Sequence, residues 1–468
     1  MITRFDIEER VREWGLAEQV VEKDYVLGWV LWGIANDPVL SEQWVFKGGT
    51  CLKKCYLETY RFSEDLDFTV LPGGPLLAEE LEPLLSRILT RVGEESGIDF
   101  TREKLSLKKH PQYEYTEGRI YYVGPRKSPS PARIKLDLNR SEKLVRPAEA
   151  RPIAHAYPDT LPGNATIRCY SSIELFAERL RAMGDRGRPR DLFDIVNMHR
   201  REEFAADPAE VRTALQEKCA HKQLPVPTLA SITHPERIAE LKADWSNMLG
   251  HQLPELPPVD DFLDALVELF QWLDGSAPQP ELPSMDVKSE ETVEPAWRPP
   301  ATVRTWGSEA PIERIRYAAV NRLCVELGYK GTKRLIEPYS LRRTGEGKYI
   351  LCAVRVDNRE DRAYRVDRIE SVRLTQRSFK PKYRIEFTSS GSVPAPRFKP
   401  KNRAGRNAQP DVYGRSSAFH VVTCPQCGRV FYRESSDTLL NNHKRKGGGA
   451  WCPGSGTYGN YVGMRKRK

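Results

Sequence analysis

The stretch VFKGGTCLKKCYLETYRFSEDLDFTV occupies residues 45–70 and predicts two strands joined through a turn and a short helix. The first strand is apolar and ends at Lys47. Gly-Gly-Thr at 48–50 then forms a turn into a helix with periodic apolar residues, and a second strand follows at 65–68. This alternation of strand and helix indicates a mixed α/β domain.

The second strand places two acids on one face. Because side chains alternate along a strand, Asp65 and Asp67 share one face while Leu66 and Phe68 share the other. Two carboxylates about 4 Å apart repel by about 1 kcal/mol in bulk water and by about 4 kcal/mol at an effective dielectric constant of about 20. A divalent cation removes that cost, and Mg²⁺ prefers oxygen ligands. The pair therefore indicates a metal site.

The glycine turn adds a second half to this site. Gly48 and Gly49 let the backbone approach a phosphate closely, and the helix N-terminus after them presents free N–H groups. Each half alone is common in ordinary surface structure. Together, and with Ser63 two residues before Asp65, they favour a nucleoside triphosphate held on a metal ion.

The order of these residues resembles a known family. Gly-Gly-Thr, a short helix and then Arg-x-Ser-x-Asp-x-Asp-Phe is similar to the nucleotidyltransferases built on a DNA polymerase β-like core. The motifs KGGTxL and RFSEDLDF resemble those of the AbiEii/AbiGii branch of abortive-infection toxins, and the resemblance covers roughly residues 1–200. The resemblance implies metal-dependent transfer of a nucleotidyl group, with Mg²⁺ or Mn²⁺ as cofactor and an NTP as substrate.

A third acid comes from a strand predicted over 132–138, where Asp137 points the same way as Lys135. Polymerase β-like enzymes take a third acid from a neighbouring strand. The alternative is an ordinary strand acid paired with Lys135 or Arg140.

The run from Glu174 to Ile195 resembles later motifs of the same family. There the basic residue after a Glu helps bind triphosphate, and the Asp of Arg-Asp is needed for activity. The family usually has Lys where this chain has Arg179, and Arg binds phosphate through a fork but is a poorer general acid. A helix N-terminus that favours acids is the alternative explanation for Asp191.

The resemblance therefore assigns three overlapping sets of residues. It implies catalytic roles for Asp65, Asp67, Asp137 and Asp191, metal ligation by Asp65, Asp67 and Asp137, and nucleotide binding by Lys47, Gly48, Gly49, Thr50, Ser63, Arg179 and Arg190.

The net charge of +9 is unevenly placed. Residues 391–468 contain 15 Lys and Arg against 3 Asp and Glu, so the rest of the chain, with 58 against 61, carries −3. This asymmetry favours a polyanionic partner at the C-terminal end, although a solubilising tail is the alternative. No apolar run is long enough to cross a membrane and no secretory segment is recognisable, so we expect a cytoplasmic protein without a membrane partner.

Composition divides the 468 residues into five segments. We expect a nucleotidyltransferase domain with helical support at 1–275, a linker rich in Pro, Ser and Glu at 276–300, a small β domain at 301–390, a basic linker at 391–418 and a zinc-knuckle domain at 419–468. A helix is predicted over 312–326, before the strands of the β domain.

The β domain resembles the WYL domain, a small SH3-like barrel. The resemblance lies in the segments IEPYSLRR, YILCAVRV and YRVDRIESV. That family is associated with ligand sensing or nucleic-acid binding. The resemblance implies that Arg342 and Arg343 contact an anionic partner, and solvated arginines on a plain barrel are the alternative.

The C-terminal segment has a metal-binding pattern. Cys424-x-x-Cys427-Gly, His443 and Cys452 supply three thiols and one imidazole, which form a closed tetrahedral Zn²⁺ site of structural type. The basic cluster beside it predicts a nucleic-acid-binding finger, with a protein-docking finger as the alternative, and consists of Lys444, Arg445 and Lys446.

These observations predict a toxin-like nucleotidyltransferase that transfers NMP from an NTP to an RNA acceptor, the 3′ end of tRNA being the expected one. The resemblance implies a toxin–antitoxin or phage-defence setting and a cognate antitoxin partner. Two alternatives stay open: a nucleic-acid-binding regulator with a non-catalytic core, and nucleotidyl transfer to a protein hydroxyl.

Overall fold

The structure is a computed structural model. It describes residues 2–57, 60–163, 165–201, 204, 206–277, 281–285, 293–294, 297, 312–387, 418–427, 430–433, 452–453 and 460–466. The chain divides into two compact units, Met1–Pro396 and Arg397–Lys468. Among the helices within the described ranges, none has the length and apolar character needed to cross a membrane.

The first unit contains the helices. They are α1 (Arg4–Trp14), α2 (Glu18–Ala35), α3 (Leu40–Gln43), α4 (Gly48–Cys51), α5 (Ala78–Ser96), α6 (Ser172–Asp185), α7 (Pro189–Arg200), α8 (Pro208–Lys222), α9 (Leu229–Ile232), α10 (Pro235–Leu249), α11 (Val259–Asp274) and α12 (Ile312–Val320). A π-helical turn, Leu52–Tyr56, continues α4.

The strands belong to three sheets. They are β1 (Trp44–Lys47), β2 (Asp65–Val70), β3 (Ser106–Lys109), β4 (Tyr115–Tyr122), β5 (Ala132–Asn139), β6 (Glu149–Pro152), β7 (Thr166–Cys169), β8 (Leu323–Tyr329), β9 (Thr332–Arg343), β10 (Tyr349–Arg355), β11 (Asp361–Arg365), β12 (Ile369–Ser378), β13 (Ala418–Thr423), β14 (Val430–Arg433) and β15 (Asn460–Lys466).

A mixed seven-stranded sheet, in the order β3-β4-β5-β2-β1-β7-β6, carries the predicted site. Strand β2 is antiparallel to β1 and parallel to β5. Leu66 lies opposite Leu136 and Phe68 opposite Leu138, and all four are fully buried. One face of the central strands therefore packs into the core, and the other is left for polar side chains.

Helix α2 packs across α5 at a glycine. A Cβ added to Gly33 would lie 2.6 Å from Val92 and 2.8 Å from Ile88, so only glycine allows this close crossing. The helix is buried on nearly all sides, as its broad apolar stripe predicts.

Helices α6 and α7 connect the sheet to a helical layer. Ser171 caps α6 as expected, since its hydroxyl accepts a hydrogen bond from the backbone N–H of Glu174 at 3.2 Å. Phe193 on α7 stacks on Phe262 of α11 with ring centroids 5.3 Å apart. The helical support expected after the catalytic core is therefore present.

Strands β8 to β12 form an antiparallel sheet in the order β11-β10-β9-β8-β12. It belongs to the same compact unit as the seven-stranded sheet. Tyr317 donates a hydrogen bond to the carbonyl of Glu255 at 2.7 Å, and Ser378 donates one to Asp261 at 3.1 Å. The described pairings run from one edge strand to the other, and closure into an SH3-like barrel stays a prediction.

The helix predicted over 312–326 is wrong in its second half. Helix α12 ends at Val320, and Arg322 adopts a left-handed φ of 57°, which ends helical geometry. The following residues, Leu323–Tyr329, pair with β9 and β12 as a strand.

Part of the predicted linker at 276–300 is packed. Met285 is buried in a second apolar cluster with Tyr339, and the Trp297 ring lies 5.7 Å from that of Tyr349. Apolar side chains within the Pro-rich segment therefore attach it to the five-stranded sheet.

The second unit contains a three-stranded sheet in the order β14-β13-β15. Cys424 directly follows β13, and Cys427 lies in the turn before β14. The basic linker before residue 418 lies outside the described residues.

Candidate active site

The acids predicted on β2 lie in a row of charged side chains across the sheet. In the strand register Lys47 faces Asp67, Asp67 faces Asp137, and Asp137 faces Glu117. Asp65 lies one pleat away on the same face and pairs with Lys135 of β5. The structure thus brings together the three acids that the sequence singled out.

Burial and crowding of these acids raise their pKa values. Burial is the main cause for Asp67, with Asp137 and Asp65 adding to it, and the pKa rises from 3.8 to about 6 against the opposing effect of Lys47. Burial and then Asp137 also raise the pKa of Asp65. The row therefore carries more negative charge than its two lysines balance.

Asp137 has partners within the sheet. The Tyr115 hydroxyl donates a hydrogen bond to its Oδ1, and Lys135 Nζ lies 2.8 Å from its Oδ2. The pairing with Lys135 is the one that the alternative explanation of Asp137 requires. The same carboxylate also stands beside Asp67, so the two explanations coexist in this geometry.

The Gly-Gly turn lies directly against the acids. Gly48 has a φ of 83°, and a Cβ there would lie 2.2 Å from Asp67 Oδ2. A Cβ on Gly49 would lie 2.5 Å from Arg61 and 3.1 Å from the Ser63 hydroxyl. Any larger residue at either position would have to displace a charged or polar group, which explains both glycines.

Thr50 is buried, and its hydroxyl donates to the backbone carbonyl of Asp65. This bond joins the turn to the start of β2. In this structure Thr50 positions the acid strand, and its predicted contact with phosphate stays a prediction.

Lys47 forms part of a buried chain of charges. Its Nζ lies 3.1 Å from Glu178 Oε1, and Lys218 approaches the other oxygen of Glu178 at 3.6 Å. Lys218 also lies 2.6 Å from Glu174. Burial opposes the charge on Lys47, but Glu178, Glu142 and Asp67 together raise its pKa. Lys47 therefore stays charged beside the acids.

A buried arginine and aspartate form the second half of the site. Arg61 Nε and Nη2 lie 2.7 and 2.8 Å from the two oxygens of Asp194, and Tyr60 donates to the same carboxylate at 2.6 Å. Arg179 Nε lies 3.1 Å from Asp194. Burial alone would raise the pKa of Asp194, but Arg61 and Arg179 hold it below its usual value.

Asp191 is also fully buried and orients two arginines. It accepts two hydrogen bonds of 2.8 Å from Arg186 and one of 3.4 Å from Arg179. Its carboxylate is therefore occupied by guanidinium groups in this geometry. Arg190, the neighbouring candidate, directs Nε to the carbonyl of Met248 at 3.3 Å.

Three residues of this site were not among the predicted site residues: Arg61, Glu178 and Asp194. Arg61 begins the Arg-Phe-Ser motif that precedes the paired acids, and Glu178 directly precedes Arg179. Asp194 lies three residues after Asp191 on the same helical face. Each lies within three positions of a residue that the pattern did identify.

The arginines predicted on the five-stranded sheet are paired with acids. Arg342 contacts Glu386, and Arg343 Nε lies 3.1 Å from Glu294. The same sheet has a cleft of about 310 Å³. Its lining includes Glu326 and four basic residues, Lys333, Arg334, Arg373 and Arg377.

The C-terminal thiols converge. The sulfur atoms of Cys424, Cys427 and Cys452 all lie within 4.8 Å of one another, with Cys424 and Cys452 at 3.6 Å. The predicted fourth ligand, His443, lies outside the described residues, as do the basic residues Lys444, Arg445 and Lys446.

The candidate site thus combines a row of acids on a mixed sheet, a glycine turn that touches them and a cluster of arginines at its side. A family model described as nucleotidyl transferase AbiEii toxin of a type IV toxin–antitoxin system matches residues 29–267, just over half of the chain. The chain belongs to this AbiEii toxin family of nucleotidyltransferases.

The solved structure of MenT4, a nucleotidyltransferase toxin from Mycobacterium tuberculosis H37Rv, is similar at 19% identity, covers 58% of this chain and 90% of that chain, and gives a TM-score of 0.39. No curated protein matches the chain.

We predict that Asp67→Asn stabilises the metal-free protein. Because the pKa of Asp67 is higher when folded than when unfolded, ionisation costs stability progressively from about pH 4 to about pH 6 and the cost is constant above that range. The shift from 3.8 to about 6 corresponds to at most about 3 kcal/mol. Urea unfolding with chelator present, at about pH 4 and about pH 7.5, measures the difference.

The control for this variant is Asp264→Asn, an exposed acid on α11. It should change stability little at either pH. A gain for Asp67→Asn that is equal at both pH values would contradict the explanation through ionisation.

We also predict that Asp194→Asn destabilises the protein by about 3–5 kcal/mol, because it leaves Arg61 buried without its carboxylate and removes one of the two carboxylate partners of Arg179. Denaturant unfolding near neutral pH measures the loss. The matched control is Glu8→Gln, which breaks the exposed pair with Arg4 and should cost less than about 1 kcal/mol. An equal loss of unfolding free energy in the two variants would show that the buried pair stabilises the protein no more than the exposed pair does.

Proposed function

We propose that the chain is a metal-dependent nucleotidyltransferase that transfers NMP from an NTP to the 3′ end of an RNA, with tRNA as the acceptor. The observation that supports this most directly is the register of Asp65, Asp67 and Asp137 beside a glycine turn that touches Asp67. This arrangement concentrates negative charge at the point where a metal-bound triphosphate would meet the turn.

The residues present fit a divalent cation. Asp65, Asp67 and Asp137 lie on one face of neighbouring strands, and their ligand atoms are carboxylate oxygens, which Mg²⁺ and Mn²⁺ prefer. Asp65 and Asp67 would hold the ion, and Asp137 would join them on release of Lys135. When bound, the ion would stabilise charge on the phosphate oxygens.

The chain's own cations would hold the triphosphate. Arg179 and Arg190 lie on the α6–α7 side of the acids, and Asp194 and Asp191 fix the orientation of Arg179. Lys47 remains charged on the acid row itself, and Gly48, Gly49 and Ser63 border it. Orientation and electrostatic stabilisation are the main means by which proteins promote phosphoryl transfer.

The reaction balances without a redox partner. The acceptor hydroxyl oxygen forms a bond to the α-phosphorus, the α–β phosphoanhydride bond breaks, and pyrophosphate leaves with the electron pair. The hydroxyl proton passes to solvent or to a carboxylate of the row that does not hold the ion.

An RNA acceptor is supported by the distribution of charge. Residues 391–468 carry a net charge of +12, from 15 basic and 3 acidic residues, while the remainder is slightly acidic. We propose that this tail, folded on a structural Zn²⁺ held by Cys424, Cys427, Cys452 and His443, binds the RNA backbone, with Lys444, Arg445 and Lys446 contributing. The WYL-like sheet would add contacts through its own arginines, and an antitoxin would be the regulating partner.

The first test uses total tRNA, Mg²⁺ and each NTP labelled at the α-phosphate. We expect label on RNA with at least one NTP, and the Asp65→Ala/Asp67→Ala variant should reduce it by at least about 1,000-fold, because both proposed metal ligands are lost. NTP labelled at the γ-phosphate should leave no label on RNA. Asp264→Asn is the control variant and should retain activity.

The outcomes separate the alternatives. Absence of label on RNA with every NTP would overturn the RNA proposal. Label on protein, lost in the same variant, would instead assign a protein hydroxyl as acceptor. Nucleic-acid binding that is equal in both proteins, without any transfer, would assign a regulator with a non-catalytic core.

A second test addresses the tail. We expect the Cys424→Ser/Cys427→Ser variant to lose about one zinc ion per chain relative to the unaltered protein and to bind tRNA more weakly. Plasma emission spectrometry and fluorescence anisotropy measure the two quantities. Cys219→Ser, which removes a buried thiol on α8, is the control and should change neither. An unchanged zinc content would contradict the zinc site.

A further inference from the structure

A second cluster of thiols lies in the first unit, directly behind the glycine turn. The sulfur atoms of Cys51, Cys55 and Cys169 all lie within 4.8 Å of one another, and all three residues are buried. Sequence alone does not suggest this group, because Cys169 is separated from the others by more than a hundred residues and forms no motif with them.

Three different elements deliver these sulfurs. Cys51 ends α4, Cys55 lies in the π-helical turn, and Cys169 ends β7. Cys169 is held beside β1 by the parallel pairing with Phe46. The segment that follows the glycine turn and the end of strand β7 therefore meet at the cluster.

The spacing suits metal ligation. A Zn–S bond of about 2.3 Å places the sulfurs of a tetrahedral site about 3.8 Å apart, which is within the spread found here. The hydroxyl oxygen of Tyr56 lies 4.0 Å from the sulfur of Cys169 and supplies a fourth polar atom at the cluster.

The local charge also suits a divalent ion. Three thiolates and a divalent ion sum to −1, and the Arg151 guanidinium, which lies 4.0 Å from the ring centre of Tyr56, places a positive charge nearby.

We propose that Cys51, Cys55 and Cys169 form a binding site for a thiophilic divalent metal ion of the zinc class, distinct from the carboxylate site and from the C-terminal thiols. Binding replaces the thiol protons by the metal and releases them to solvent. The ion would join the end of β7 to the helix that follows the glycine turn, and so would stiffen the support of that turn.

The test uses the full chain with Cys424→Ser/Cys427→Ser as background, so that only one thiol of the C-terminal cluster is left. Titration with Cd²⁺ is followed by the thiolate-to-metal charge-transfer absorption and by the protons released. We expect about one equivalent of Cd²⁺ bound per chain, and at least about a tenfold loss of affinity when Cys55→Ser is added. Adding Cys219→Ser instead should leave the titration unchanged.

A second measurement does not depend on a substitution within the cluster. In the background protein, bound Cd²⁺ should protect Cys51, Cys55 and Cys169 from alkylation, as determined by peptide mass spectrometry, while leaving Cys219 unaffected. No charge-transfer band in the background protein, equal Cd²⁺ affinity with and without Cys55→Ser, or a disulfide among the three thiols in the freshly purified protein would overturn the proposal.

Discussion

The site depends on the contact between the backbone at Gly48 and the carboxylate of Asp67. Strands β1 and β2 are antiparallel neighbours, so the chain that leaves β1 must turn directly over the acids of β2. That turn is possible because Gly48 has no side chain and adopts a positive φ. The hydrogen bond from Thr50 to the Asp65 carbonyl then fixes the turn to the acid strand. The contacts of Gly48 and Thr50 with β2 therefore determine both the local chain path and the arrangement of the candidate site.

Much of this half of the site could be predicted from the sequence, because its signals are local. Strand alternation places Asp65 and Asp67 on one face, and the alternating apolar residues around Asp137 predict β5. The parallel pairing that sets Asp137 beside Asp67 joins strands that are far apart in sequence, and only the resemblance to a family suggested it. The short helix α12 shows where a local pattern misleads. The amphipathic pattern continues past Arg322, but the backbone leaves helical geometry there.

The arginine half could not be predicted in full, for a physical reason. Arg61 and Asp194 are separated by 133 positions, and neither local periodicity nor charge pattern indicates that they meet. Their burial is stable only because each satisfies the other, together with Tyr60 and Arg179. Asp191, identified through its motif, has the same task of holding guanidinium groups in place. The acids of α7 thus act on the site through the orientation of arginines.

Lys47 and Lys135 have a consequence for how the protein matures. They place ammonium groups in and beside the row of carboxylates, so part of the negative charge is balanced by the polypeptide itself. Folding of the sheet therefore does not have to wait for an ion, unlike that of a zinc finger, whose fold forms only with its metal. A newly synthesised chain can therefore complete this core with the charges that its own side chains supply.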